Sequence, residues 1–240
     1  MPHFPFQRLQ DDLAAMITRL PAGSKLPSEP ELAKQLGVSR ATLREAMRMF
    51  ETQGHIRRRQ GAGTFIVGQI PVIESGLEVL ESLETMAHRL NLTVSMGDAA
   101  IERISASEEQ AAILGLAIGA PLVRISRVMR TDSRPVAYLV DVLPEDVLRP
   151  DELNGGRFSG SVLDYLLQRG DPLSVSRAEV SAIGASADVA KMLEIQRGDV
   201  LLEIIAQLFN GGGRVVAYSF SYFLPGYFKF HVVRRVGGGA

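Results

Sequence analysis

The first sixty-seven residues alternate helical stripes with polar faces, then switch to a period of two. Leu9, Leu13, Met16, Ile17 and Leu20 recur at helical spacing and predict a helix over 6–20, stopped by Pro21-Ala22-Gly23. Ser28 followed by Glu31 has capping-box spacing, Pro30 sits in the first turn, and Leu32, Ala33 and Leu36 mark the inner face of a second helix. Gly37 supplies a turn. Ser39 then caps a third helix whose buried stripe is Leu43, Ala46, Met47 and Phe50. Arg40, Arg44 and Arg48 are four apart and share a different face, with Thr42 beside the first two. Strands are expected at 56–60 and 64–67 around Gly61-Ala62-Gly63, where glycine permits the positive φ of a hairpin tip. Arg57, Arg58 and Arg59 alternate in direction along the first of them. Arg57 and Arg59 are placed together on one face, and at least one of the three is expected to pack inward or pair with an acid.

Gly68-Gln69-Ile70-Pro71 breaks this pattern, so a linker is expected at 70–75 between a first domain at 1–69 and a larger domain at 76–236. Leu77, Leu80, Leu83, Met86 and Ala87 predict an amphipathic helix from 77 to about 90. Strands are expected at 93–104, 122–130, 136–143 and 173–183, helices at 107–116 and 161–169, and a hairpin turn at 131–135. An internal repeat runs through this half. Leu114-x-Leu116-x-x-Gly119-x-x-Leu122-x-x-Ile125 recurs as Leu193-x-Ile195-x-x-Gly198-x-x-Leu201-x-x-Ile204, and Val136-Ala137-Tyr138 recurs as Val216-Ala217-Tyr218. Each copy reads as helix, glycine turn and β-hairpin, which predicts a pseudo-two-fold α+β domain with an antiparallel sheet. Residues 237–240, Gly-Gly-Gly-Ala, are expected to be a flexible tail.

Charge sharpens the division. Through Gly68 there are ten Lys/Arg against six Asp/Glu, a balance of +4; the rest carries 16 against 21, a balance of −5. A basic module joined to an acidic one suits a nucleic-acid binder with a regulatory partner domain. The 240-residue chain has no cysteine, which excludes disulfides and thiolate metal sites. No apolar run reaches the roughly 20 residues of a membrane span. The first residues lack a secretory pattern, so a cytoplasmic location is expected. His3, His55, His88 and His231 are scattered, and there is no Gly-x-Ser-x-Gly elbow, so no catalytic or metal site is expected and no cofactor.

Two short helices joined by a glycine turn, an arginine-faced second helix and a glycine-tipped hairpin make a winged helix-turn-helix. That order points the start of the third helix at the major groove of double-stranded DNA. Arginine can donate two hydrogen bonds to a guanine edge, and threonine can meet a thymine methyl or a phosphate. The DNA-binding candidates are Ser39, Arg40, Thr42, Arg44 and Arg48 on the helix and Arg57, Arg59, Gly61, Gly63 and Thr64 on the wing.

Residues 6–67 resemble the winged-helix domain of the GntR family of bacterial transcription regulators. The resemblance rests on G-S-K-L-P-S-E-x-E-L-A from Gly23, G-V-S-R-x-T-L-R-E-A from Gly37 and R-R-x-G-x-G-T-F from Arg58. It implies DNA contacts at Arg40, Thr42, Arg44 and the wing around Gly61 and Gly63. The family usually carries a basic residue where this chain has Pro30, so that contact is absent. Residues 76–235 resemble the UTRA effector-binding domain of the family's HutC branch, with a chorismate-lyase-like fold, on the repeat, S-R-V at Ser126, S-V-L-D-Y-L at Ser161 and Y-S-F-S-Y-F-L-P-G-Y-F-K-F from Tyr218.

The resemblance implies a homodimeric repressor whose operator affinity is changed by a small molecule. In relatives that bind sugar phosphates, an Arg-x-Arg pair grips the phosphate. Here the first arginine matches Arg127, the second falls on Met129, and acidic positions fall on Leu139 and Ala217, while Ser159 and Ser161 are retained. The effector expected is a carboxylate, aromatic or acyl metabolite near Arg127, Ser159 and Ser161, with Tyr138, Tyr165, Tyr218 and Tyr222 as candidate linings. Arg127 has a second reading, an exposed strand arginine paired to Glu102 or Glu203, and the tyrosines have one as core residues. Two other functions stand beside the repressor: a lyase-like enzyme fused to a DNA-binding domain, and a ligand-independent DNA binder.

Overall fold

The computed structural model describes residues 5–52, 54–59, 61–67, 73–154 and 160–233. They divide into two compact units, Met1–Val72 with Pro225–Tyr227, and Ile73–Leu224 with Phe228–Ala240.

In the first unit the predicted stripes become one core. Helices α1 (Pro5–Arg19), α2 (Glu29–Gln35) and α3 (Arg40–Thr52) precede strands β1 (Ile56–Arg59) and β2 (Gly63–Ile66). Leu9, Leu13 and Ile17 of α1 pack with Leu32 and Ala33 of α2, with Leu43, Ala46, Met47 and Phe50 of α3, and with Ile56 and Ile66 of the hairpin. Leu13, Leu32 and Leu43 are fully buried. The Glu31 carboxylate accepts from both the backbone N–H (2.9 Å) and the hydroxyl (2.7 Å) of Ser28, so the start of α2 is fixed by the spacing legible in sequence. Gly37 turns at φ +65 between α2 and α3. The wing runs in antiparallel register from Ile56 opposite Ile66 to Arg59 opposite Gly63. The chain before α2 completes it: Leu26 N–H donates to Thr64 O (2.8 Å) and Ile66 N–H to Ser24 O (2.7 Å).

The second unit opens with β3 (Ile73–Gly76), α4 (Leu83–Arg89), β4 (Ser95–Met96) and β5 (Ala100–Ser105). Next come α5 (Glu108–Leu114), β6 (Pro121–Thr131), β7 (Arg134–Pro144), α6 (Pro150–Asn154) and α7 (Val162–Arg169). It ends with β8 (Leu173–Gly184), α8 (Ala187–Leu193), β9 (Val200–Asn210), β10 (Val215–Phe223) and β11 (Phe228–His231). Seven strands form an antiparallel sheet in the order β4-β6-β7-β10-β9-β8, with β5 also on β6. β11 pairs with β3 in parallel as a separate ribbon. The repeat explains the order. Each copy is a helix and a hairpin, α5 with β6–β7 and α8 with β9–β10, and the inner strands β7 and β10 pair with each other. The helices cross over: α5 lies against β10 and α8 against β7. Ser107 and Ser186 cap the two helices by accepting from Gln110 and Val189 N–H.

Three expectations are corrected. The helix expected from 77 begins only at Leu83, where the Ser82 hydroxyl caps it by accepting Thr85 N–H (3.0 Å). Leu77, Val79 and Leu80 are exposed instead of forming a core stripe. The strand expected at 93–104 is broken into β4 and β5, both on β6. Of the linker expected at 70–75, residues 73–75 are strand, paired with β11; residues 70–72 and the tail at 237–240 lie outside the described residues.

Candidate functional site

The exposed face of α3 carries the predicted cations. The Ser39 hydroxyl accepts Thr42 N–H (3.1 Å) and shares a 2.7 Å hydrogen bond with the Thr42 hydroxyl, so both hydroxyls are engaged in capping the helix. Arg40 is exposed beside them. Arg44 is largely exposed, with Nε 3.5 Å from Glu29. Arg48 is drawn to Glu45 at 2.8 Å, a pairing that holds the Glu45 carboxyl below its ordinary range.

On the wing, Arg57 and Arg59 are exposed on one face, and Arg59 lies over the Phe65 ring at 5.5 Å. Arg58 is the inward arginine, with Glu51 at 3.4 Å and Glu29 at 3.7 Å. Gly61 and Gly63 hold φ +74 and +115 at the tip. A Cβ on Gly63 would stand 2.5 Å from Lys25 Cε, so the wing tip and an exposed lysine are in close approach. Lys25 lies in the GntR-like stretch that begins at Gly23, and only its place beside the tip singles it out. Thr64 is a correction: its side chain is buried, and its carbonyl is taken by Leu26 N–H.

The second site is a cavity of about 500 Å³ on one face of the large sheet. Strand register builds its floor. Arg127 stands opposite Leu139, Leu139 opposite Ser221, Ser221 opposite Ile204 and Ile204 opposite Val180, and all five line it. The next row on the same face contributes Asp141, Ser219, Ala206 and Ala178. The segment from Gly76 to Glu84 forms a wall, with Ser161 and Phe230 nearby.

Arg127 is 4 % exposed, which corrects the reading of it as an exposed arginine. Its partner is Asp141 at 2.6 Å, not Glu102 or Glu203, and it also donates to the Gly160 carbonyl. Glu102 binds Arg124 instead, at 2.6 Å. Asp141 in turn accepts the Ser219 hydroxyl at 2.6 Å. Glu84 on the wall has a buried Oε1 with no hydrogen-bond partner among the described residues. Burial raises its carboxyl above the ordinary value, its own backbone N–H and Arg127 lower it, and Asp164 and Asp141 raise it further. Ser161 lines the cavity and caps α7 by accepting Asp164 N–H (3.2 Å). Ser159 lies outside the described residues.

The four tyrosines do not line this cavity. Tyr138, Tyr218 and Tyr222 have the opposite strand parity from Arg127 and Leu139, so they project from the other face of the sheet. There Tyr138 and Tyr222 stack with centroids 6.1 Å apart, and Tyr218 meets Phe220 edge-on at 4.6 Å. Burial raises the phenol pKa of Tyr218 and Tyr222. Tyr165 lies under the Arg169 guanidinium (5.8 Å) on the core side of α7. Asp141, Ser219 and Glu84 escaped the sequence reading. Asp141 is legible in principle, as the single acid of its strand and of the same parity as Leu139. Among the described residues no group of three or more His, Asp or Glu is placed to hold a metal, and no helix is long and apolar enough to cross a membrane.

Residues 6–66 match the family of bacterial regulatory proteins, gntR family, and residues 90–229 match the UTRA domain. The chain is 30% identical over 214 residues to the HTH-type transcriptional repressor NagR of Bacillus subtilis, covering 88% of this chain and 86% of that protein. It is 31% identical over 235 residues to the HTH-type transcriptional regulator Rv0792c of Mycobacterium tuberculosis, covering 94% of this chain and 84% of that one. The crystal structure of PhnF from Mycobacterium smegmatis shares the fold, with a TM-score of 0.65 at 22% identity, over 95% of this chain and all of that one. The winged helix with its arginine face and the repeat-built sheet with its cavity therefore stand together in one protein: the chain belongs to the GntR family, in the HutC branch that joins a winged helix to a UTRA domain, and is a ligand-responsive DNA-binding transcription regulator.

Proposed function

We propose that the protein is a cytoplasmic, homodimeric repressor that reads its operator with Arg40, Thr42 and Arg44 and braces the backbone with Arg57, Arg59, Lys25 and the Gly61–Gly63 tip. Its effector occupies the cavity over Arg127 and Asp141. The DNA-binding domain ends before residue 70, and the effector and dimerisation domain begins at Ile73. That domain works by binding alone, without catalysis.

The cavity wall carries this reading. Residues 76–84 expose Leu77, Val79 and Leu80 to the cavity and follow directly on β3, the first element after the linker. A ligand that orders this wall acts on the stretch of chain that leads to the DNA-binding domain. Such a ligand shifts the equilibrium only by its difference in affinity for the two states. The lining also restricts the effector. Among the lining residues the carboxylates Glu78, Glu81, Glu84 and Asp141 outnumber the one cation, Arg127, which is already paired with Asp141, while Glu81 is met by Arg89 outside the lining. A doubly charged phosphate is disfavoured, and an aromatic or acyl metabolite with a neutral or singly charged head fits. β8 supports the dimer: it is a twelve-residue edge strand whose outer side has no partner among the described residues.

The test is a duplex selected by the full-length protein from a random pool, followed by metabolite addition in an anisotropy titration. An aromatic or acyl compound should change operator affinity, and Ala178→Trp, which fills the cavity, should abolish the response while operator affinity persists. A response that survives the filled cavity would move the effector elsewhere.

A further inference from the structure

Arg44 has a tether that its role in DNA reading does not require by itself. Its side chain projects from α3 into solvent, yet Nε lies 3.5 Å from Oε2 of Glu29 at the start of α2. The other oxygen of Glu29 lies 3.7 Å from Nη1 of Arg58 on the wing. Arg58 donates from Nη2 to the Arg44 carbonyl at 3.3 Å, and its backbone N–H donates to Glu51 on α3 at 3.1 Å. One carboxylate thus joins the first helix of the motif, the recognition helix and the wing.

The geometry suits presentation better than stability. Exposed ion pairs add little to folding. An unrestrained arginine, however, carries substantial rotamer entropy and must lose much of it to dock a planar fork on a base. A carboxylate on Nε restricts that freedom before DNA arrives. It also leaves the two terminal nitrogens to face outward, and these can donate as a pair to guanine O6 and N7. The same carboxylate sits on a surface that meets phosphates, where a negative charge weakens sequence-independent attraction. Attraction to the right base and repulsion from every duplex together widen the gap between specific and non-specific binding.

We propose that Glu29 is a positioning residue that pre-orients the Arg44 guanidinium for a guanine edge and so sets base discrimination at that position. The inference rests on Arg44 being a base reader. Its test is Glu29→Gln in the full-length protein beside Arg44→Ala and the double variant. Each is titrated against the wild-type-selected duplex, its single base-pair variants and an unrelated duplex. Arg44→Ala identifies the base pair it reads. Glu29→Gln should lose about 3- to 10-fold discrimination at that same pair, a part of what one bidentate contact supplies. Its affinity for unrelated DNA should hold or rise. In the Arg44→Ala background the Glu29 change should alter discrimination no further, because its effect passes through Arg44. Full discrimination in Glu29→Gln, with Arg44→Ala defective, would overturn the inference and leave the DNA face standing. An equal loss on every duplex with a lowered melting temperature would also overturn it, as a structural role. Undiminished discrimination in Arg44→Ala would instead remove the base-reading role itself.

Discussion

Single side chains at the two sites differ in how their charge is met. Arg44 is exposed with one acidic contact, so its energy is released on DNA: Arg44→Ala should weaken operator binding by about 1–3 kcal/mol and relax preference at one base pair, read in a mobility-shift titration of single-substitution duplexes. Glu84 is the opposite case, an acid whose buried oxygen has no hydrogen-bond partner among the described residues. Burial holds its folded pKa above the ordinary 4.5. Between the unfolded and folded pKa the native state binds more protons than the unfolded chain, so stability falls as pH rises through that window. Glu84→Gln removes the titration. The variant should be more stable than wild type above the folded pKa and gain nothing through this linkage well below pH 4.5, where both states are protonated. Melting temperatures at acid and alkaline pH decide this, and a gain that is the same at every pH would refute it.

Among the elements, the wing and the helix caps were legible and the cavity wall was not. The wing depends on Gly63 at φ +115, a conformation that side chains rarely adopt. Gly63→Ala should cost about 1–3 kcal/mol in local strain and weaken DNA binding with little change in the recognition helix, visible as lost operator affinity with unchanged far-UV circular dichroism. Ser107→Ala removes the hydroxyl that accepts Gln110 N–H at 3.2 Å; a loss of about 0.5–2 kcal/mol in a urea titration is expected. These features were readable because one residue type fixes a local geometry. Residues 77–81 mislead for a physical reason. Apolar spacing reports that side chains avoid water, but a cavity wall and a helix stripe meet that condition equally, and only the Ser82 cap separates them. The tyrosines mislead because a polar-tipped ring suits either sheet face; strand parity, fixed once Arg127 stands opposite Leu139, excludes Tyr138. The ion pair of Arg127 joins residues fourteen apart through a hairpin register, which no local pattern carries.

At the scale of the molecule, the separation of charge predicts how binding responds to salt. The balance of +4 through Gly68 lies in the winged-helix part, while the rest is at −5. Operator affinity should therefore fall steeply with salt, and Arg57→Ala should reduce the slope of log K against log salt by about 1. A homodimer adds a stronger expectation. Two identical winged helices related by two-fold symmetry can both engage only a pseudo-palindrome whose half-sites lie about one helical turn apart or a multiple of it. The second engagement is then intramolecular, at an effective concentration far above that of free protein. Scrambling one half-site should cost far more than the loss of half the contacts implies, often on the order of 100-fold or more. Inserting about five base pairs between the half-sites rotates one to the opposite side of the duplex and should weaken binding comparably, although every base contact is still present. A selected site without symmetry, or one indifferent to that insertion, would mean that a single winged helix carries recognition by itself.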